Sequence, residues 1–85
     1  MQAKISTWDQ AKELGLREAE KRLGVKIEKY WPNSISLEPT THGGLWDVRL
    51  ELQVKKSLGK KALIRVSMKL DPKTGEVKEF KAEQS

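Results

Sequence analysis

The residue with the most obvious chemical potential is His42, the single histidine of the chain, set in TTHGG beside Thr40 and Thr41. Nucleophilic catalysis needs a hydroxyl or thiol held by a base that a third group orients in turn. Neighbours in one loop do not close such a triad, so His42 reads as a solvent-facing loop residue. The absence of cysteine removes thiolate chemistry, disulfides and Cys-ligated zinc together. A lone histidine does not build a multi-histidine metal site. Gly43 and Gly44 precede a strand pattern, whereas phosphate-cradling glycines follow a strand and open a helix. The carboxylates are scattered, with no cleft in view to desolvate a pair and raise one pKa. No catalytic, metal or cofactor set emerges, and the expectation is a chain that is not an enzyme and uses no cofactor.

Two other sets of residues point to binding. Lys55, Lys56, Lys60 and Lys61 crowd one hairpin tip, and alternation lets Arg49, Arg65 and Lys69 join them across one sheet face. Such a stripe attracts phosphates in a salt-dependent, sequence-independent way, which makes nucleic acid the alternative partner. Against it, Asp47 and Glu51 share that outward set, and it is expected to hold no aromatic for base stacking. The simpler reading is a solubilising edge whose lysines discourage strand-to-strand aggregation. The second set is Tyr30, Trp31 and Pro32. Two large aromatics beside a proline at a strand break do not both turn inward easily, so either one is exposed as a protein contact, or the simpler reading holds and Tyr30 or Trp31 covers the open end of the core.

The elements that must position these residues are read from period and punctuation. In STWDQAKELGLREAEKRLG, Ser6 or Thr7 caps a helix over about 7–23, with Asp9 or Gln10 reaching back three residues later. Gly24 ends it in the left-handed conformation. Trp8, Ala11, Gly15, Leu16, Ala19 and Leu23 share its apolar face. The small stripe Ala11, Gly15, Ala19 lets the helix lie close to a sheet, with Trp8 and Leu23 closing the two ends.

Beyond Gly24 the period drops from 3.6 to 2. A first strand over about 25–38 is interrupted around Pro32, which belongs on an edge because proline donates no ladder hydrogen bond. The strands over 45–55 and 61–71 alternate cleanly, with Trp46, Val48, Leu50, Leu52 and Val54 facing Ala62, Ile64, Val66, Met68 and Leu70. Asp71, Pro72 and Gly75 form a tight turn into a last short strand at 76–81. There Val77 and Phe80, three apart, imply a bulge or a fraying edge, and KAEQS is expected to fray. The expected fold class is α+β, one N-terminal helix packed on a three- to four-stranded antiparallel meander in two layers.

Size and balance agree with a single domain spanning 1–85, large enough for one small core. Net charge is +5, from 17 Lys and Arg against 12 Asp and Glu, with 36% apolar residues. No apolar run approaches the ~20 residues that span a bilayer, and none at the N-terminus has signal-peptide length. The expected location is therefore cytoplasmic, as a monomer or as a homodimer through an open sheet edge.

With the strands placed, LWDVRLEL and then RVSMKLDPKTGEV resemble two groups of small domains. In the PepSY-like family a helix precedes an antiparallel sheet, and the final hairpin commonly carries Asp, Thr and Gly, as Asp71, Thr74 and Gly75 do here. In the gas vesicle protein O family, cytoplasmic accessory proteins of gas vesicle assembly, a Gly-Trp-x-Val strand leads through a longer hairpin to a strand ending in Leu-Asp before a Gly. Trp46, Val48, Leu70, Asp71 and Gly75 resemble that pattern, and this resemblance runs from the helix through Phe80. The resemblances imply a PepSY/cystatin-like two-layer fold and a protein-binding, assembly-accessory role, or in the PepSY case regulation of a protease.

Overall fold

The computed structural model describes residues 5, 7–39, 41, 43–55 and 59–84. Among these the chain forms a helix α1 (Trp8–Leu23) and the strands β1 (Lys26–Glu38), β2 (Leu45–Lys55), β3 (Lys61–Leu70) and β4 (Val77–Gln84). The strands make one antiparallel sheet in the order β1-β2-β3-β4, and α1 packs across β1, β2 and β3. The expected α+β meander is the fold, with one sheet face under the helix and the other open. No described helix is long and apolar enough to cross a membrane.

The helix begins as a capping box. The Gln10 N–H donates to Thr7 Oγ1 and the Thr7 N–H to Gln10 Oε1, both at 3.2 Å, which satisfies two amides that a helix start otherwise leaves open. It ends at Gly24, whose φ of 63° and N–H bond to the Glu20 carbonyl form a left-handed cap. Asp9 in the first turn and Lys21 and Arg22 in the last oppose the helix dipole.

Ala11, Gly15 and Ala19 are the buried residues of α1. They let the helix settle onto Val48, Leu50, Leu52 and Val54 of β2 and onto Val66, Met68 and Leu70 of β3, all with no exposed surface. Each such side chain contributes about 1.5–3 kcal/mol by leaving water, so the two central strands carry most of the stability.

Several boundaries differ from expectation for identifiable reasons. Trp8 does not close the core: it stands 43% exposed, and Ile5 takes that place. The Ile5 N–H donates to the Pro72 carbonyl at 2.8 Å, and Ile5's own carbonyl accepts from Trp46 Nε1 at 3.2 Å. β1 is continuous instead of interrupted, because two register shifts, between Ile27 and Lys29 and between Pro32 and Ser34, absorb Glu28 and Asn33 as extra residues. Pro32 does lie on an edge strand. β3 ends at Leu70. β4 runs on to Gln84 instead of fraying after 81, since Lys81 to Gln84 pair with Ser67 to Ile64. The bulge implied by Val77 and Phe80 is present: Val77 opposes Leu70 and Glu79 opposes Lys69, leaving Lys78 extra.

The turn before β4 is built as its residues dictate. The Asp71 carboxylate accepts from the N–H of Lys73 at 2.8 Å and of Thr74 at 3.3 Å, while its carbonyl accepts from Gly75, which sits at φ 77°.

Candidate binding surfaces

Residues directly opposite in an antiparallel pair point to the same face, so the register sorts the candidate residues. Tyr30 opposes Leu52 and Pro32 opposes Leu50, which places both on the helix side; Trp31 opposes Glu51 and belongs to the open face. The cluster Tyr30, Trp31, Pro32 is thus divided between two surfaces, with Tyr30 40% and Trp31 45% exposed.

On the helix side Tyr30 shares a cation with Trp8, the residue expected to close one end of the core. Lys12 Nζ lies 5.6 Å from the centroid of the Tyr30 ring and 5.5 Å from that of Trp8, so one ammonium group holds two exposed rings at the seam between α1 and β1. Its side chain is mostly covered, and Asp9 and Glu13 approach the same nitrogen at 4.0 Å. Beside it runs a groove of about 290 Å³ lined by Glu13, Leu16, Arg17, Glu20, Ile27 and Tyr30. Glu20 also accepts from the Ile27 N–H at 3.1 Å, which ties the helix to the edge strand along this groove.

The open face is more cationic and less purely polar than expected. Trp31 lies on it, and so does Leu63, 41% exposed; the expectation that no aromatic stands among the outward residues is therefore corrected. The bulge at Glu28 is the cause, because it shifts Lys29 to Pro32 by one place relative to simple alternation, until the second bulge at Asn33 restores the phase. Across the strands Lys26 opposes Lys55 and Lys55 opposes Lys61. Lys60 is exposed at the tip beside them, and Lys56 lies outside the described residues, as do Thr40 and His42.

Arg65 is on the open face and pairs with Glu51 at 4.0 Å. With Arg49, Lys81, Ser34 and Ser67 it lines a depression of about 400 Å³. Asp47, facing the same side, is buried under its neighbours: Oδ2 meets Arg49 at 3.4 Å, and Oδ1 has no hydrogen-bond partner among the described residues. A third depression, of about 410 Å³, lies at the far end between Gly43, Gly44 and the Asp71 turn. Among the described residues no three His, Cys, Asp or Glu side chains are grouped to hold a metal ion.

The surfaces missed in the sequence had a partial signal. Lys12 follows Trp8 by four residues, the spacing of helical neighbours, but its approach to Tyr30 depends on how α1 crosses β1. Lys26 and Lys29 are plain in the sequence, whereas the alignment of Lys26 with Lys55 and Lys61, and of Lys29 with Gln53, depends on register. No protein-family model, no curated protein and no solved structure matches the chain.

Proposed function

We propose that this chain is a small non-enzymatic module that binds another protein along the seam between α1 and β1. The observation that carries the reading is the Trp8–Lys12–Tyr30 stack beside a groove that Leu16 and Ile27 line together with Glu13, Arg17 and Glu20. Tryptophan and tyrosine are strong interface anchors because they bury large area at small conformational cost. Here two of them are already held in the open, next to a groove rimmed by charges of both signs. Pro32 and exposed Leu37 extend the same side of β1.

The resemblance to gas vesicle protein O and PepSY-like modules supports the finer reading: a cytoplasmic accessory of an assembly, with a shell or accessory protein of gas vesicles as partner. In the PepSY version the partner is a protease that the module regulates.

A photo-crosslinking amino acid at position 30 tests the contact in source cells, with one at Glu79, on the open face, as the comparison. Adducts of defined mass at position 30, lost on Trp8→Ala, are expected; a pattern identical at both positions would remove the seam from consideration. Light scattering of the purified chain separates a second copy from a foreign partner. Ester, phosphate or peptide hydrolysis that scales with the amount of protein would overturn the non-enzymatic reading.

A further inference from the structure

Lys26, Lys55 and Lys61 stand side by side on the open face, one from each of three neighbouring strands. Strands lie about 4.8 Å apart, and like charges directly opposite destabilise a sheet. One carboxylate answers this row, Glu28, 3.9 Å from Lys61. Lys26, Lys29, Lys55 and Lys60 pair with no carboxylate among the described residues. The remainder of the open face is different: Arg49, Arg65, Lys69 and Lys81 each have an acidic partner. The uncompensated charge is therefore concentrated at one end of the sheet, where it costs stability unless an anion covers it.

Trp31 lies two rows from that lysine row. Lys29 and Gln53 form the row between them, opposite one another, and successive rows on one face are about 7 Å apart along a strand. Beyond Trp31, on its other side, come Ser34 and Arg49. An exposed indole thus sits between cationic positions on both sides, with Leu63 next to Gln53 and, in the indole's own row, Glu51 opposite it, paired with Arg65, and Glu83 beyond.

We propose that the open face of the sheet binds single-stranded nucleic acid, with phosphates on the lysine row and an unpaired base stacked on Trp31. A polynucleotide repeats an anion and a flat ring in one unit, which matches both features of the surface; base–aromatic stacking and lysine–phosphate attraction are the usual components of such sites. A run of carboxylates would answer the lysines and leave the indole without an occupant. A duplex hides its base faces and would meet only the lysines. The surface lies on the opposite side of the sheet from the α1–β1 seam, so it stands apart from the protein-binding reading.

The test is fluorescence anisotropy with labelled oligo-dT and oligo-U at 50 mM salt, a hairpin duplex of equal charge, and poly-glutamate as competitor. Single strands are expected to bind. Three phosphate contacts predict about 20-fold weaker binding at 200 mM salt. Trp31→Ala is expected to weaken binding about tenfold and to abolish the tryptophan quench that the oligonucleotide produces. The Lys26→Gln, Lys55→Gln, Lys61→Gln variant should flatten the salt dependence. A control removing equal charge elsewhere, Lys21→Gln, Lys73→Gln, Lys78→Gln, should bind within twofold of the parent. All these positions are exposed, and circular dichroism checks that each variant is folded. Absence of binding at 50 mM salt, equal affinity for duplex, equal competition by poly-glutamate, or indifference to Trp31→Ala each overturns the proposal.

Discussion

A Cβ placed on Gly15 would stand 3.0 Å from Cγ1 of Val48. This contact sets how closely α1 approaches β2. Val48 is fully buried in a central strand, and its branched side chain has few rotamers in which to withdraw. The helix therefore tolerates a glycine in its interior because the sheet leaves no room for anything larger.

Replacing Gly15 by alanine brings two opposed terms. Helix propensity improves by about 1 kcal/mol, while overpacking a filled interface costs about 1–3 kcal/mol. Gly15→Ala is expected to lower stability by about 1 kcal/mol in urea denaturation. In a Val48→Ala background, itself about 2 kcal/mol less stable, the same change should become stabilising. A cycle showing simple additivity would sink this account.

Trp46 fastens the segment before the helix through its bond to the Ile5 carbonyl. Trp46→Phe keeps most of the ring and removes the donor, leaving a buried carbonyl without it. The expected loss is about 1 kcal/mol, seen as a fall in Tm of about 4–8 °C. An unchanged Tm would mean that the indole N–H contributes nothing.

Asp47 and Arg49 should respond with opposite signs. Asp47→Val removes a buried carboxylate with one unpartnered oxygen and places a β-branched residue in a strand, with an expected gain of about 1 kcal/mol. Arg49→Ala leaves the carboxylate buried without its cation, with an expected loss of about 1–2 kcal/mol. Paired urea midpoints that move in the same direction would contradict the role given to this pair.

The Asp71 turn offers a local test. Asp71→Ala deprives the Lys73 and Thr74 amides of their acceptor, for an expected loss of about 1 kcal/mol. Gly75→Ala forces a Cβ into φ 77° and should cost about 1–2 kcal/mol. Amide exchange should quicken in β4 before β2 in both variants, because β4 pairs with β3 alone.

β2 and β3 were legible because Trp46 to Val54 and Ala62 to Leu70 alternate without a break, and both strands lie in the sheet interior. β1 was not, because its helix-facing positions Ile27, Tyr30, Pro32, Ile35 and Leu37 are spaced three, two, three and two apart. Bulges erase the period that would have revealed which side Tyr30 and Trp31 face. The same spacing of three at Val77 and Phe80 left a bulge and a fraying edge both open, and the pairing of β4 with β3 as far as Gln84 decides for the bulge. Trp8 misled for a different reason. It has the helical phase of Ala11 and Gly15, but phase says nothing of whether the sheet extends beneath the first turn. Ile5, which fills that place, carries no signal beyond being apolar. The lysine row was half visible: Lys55 and Lys61 were expected at one tip, while placing Lys26 in the row, and Lys29 in the next, needed the register of a bulged strand.

Pro32 and the two bulges also determine how the sheet can be extended. The runs of regular pairing along β1 are Lys26–Ile27, Lys29–Pro32 and Ser34–Glu38, the longest being five residues, so an incoming strand finds no long template there. β4 pairs regularly from Glu79 to Gln84, a longer unbroken run than any on β1. If two copies of this fold were joined by strand addition, they would meet β4 to β4 and the pair would close there, because the margin left on each side is the bulged β1.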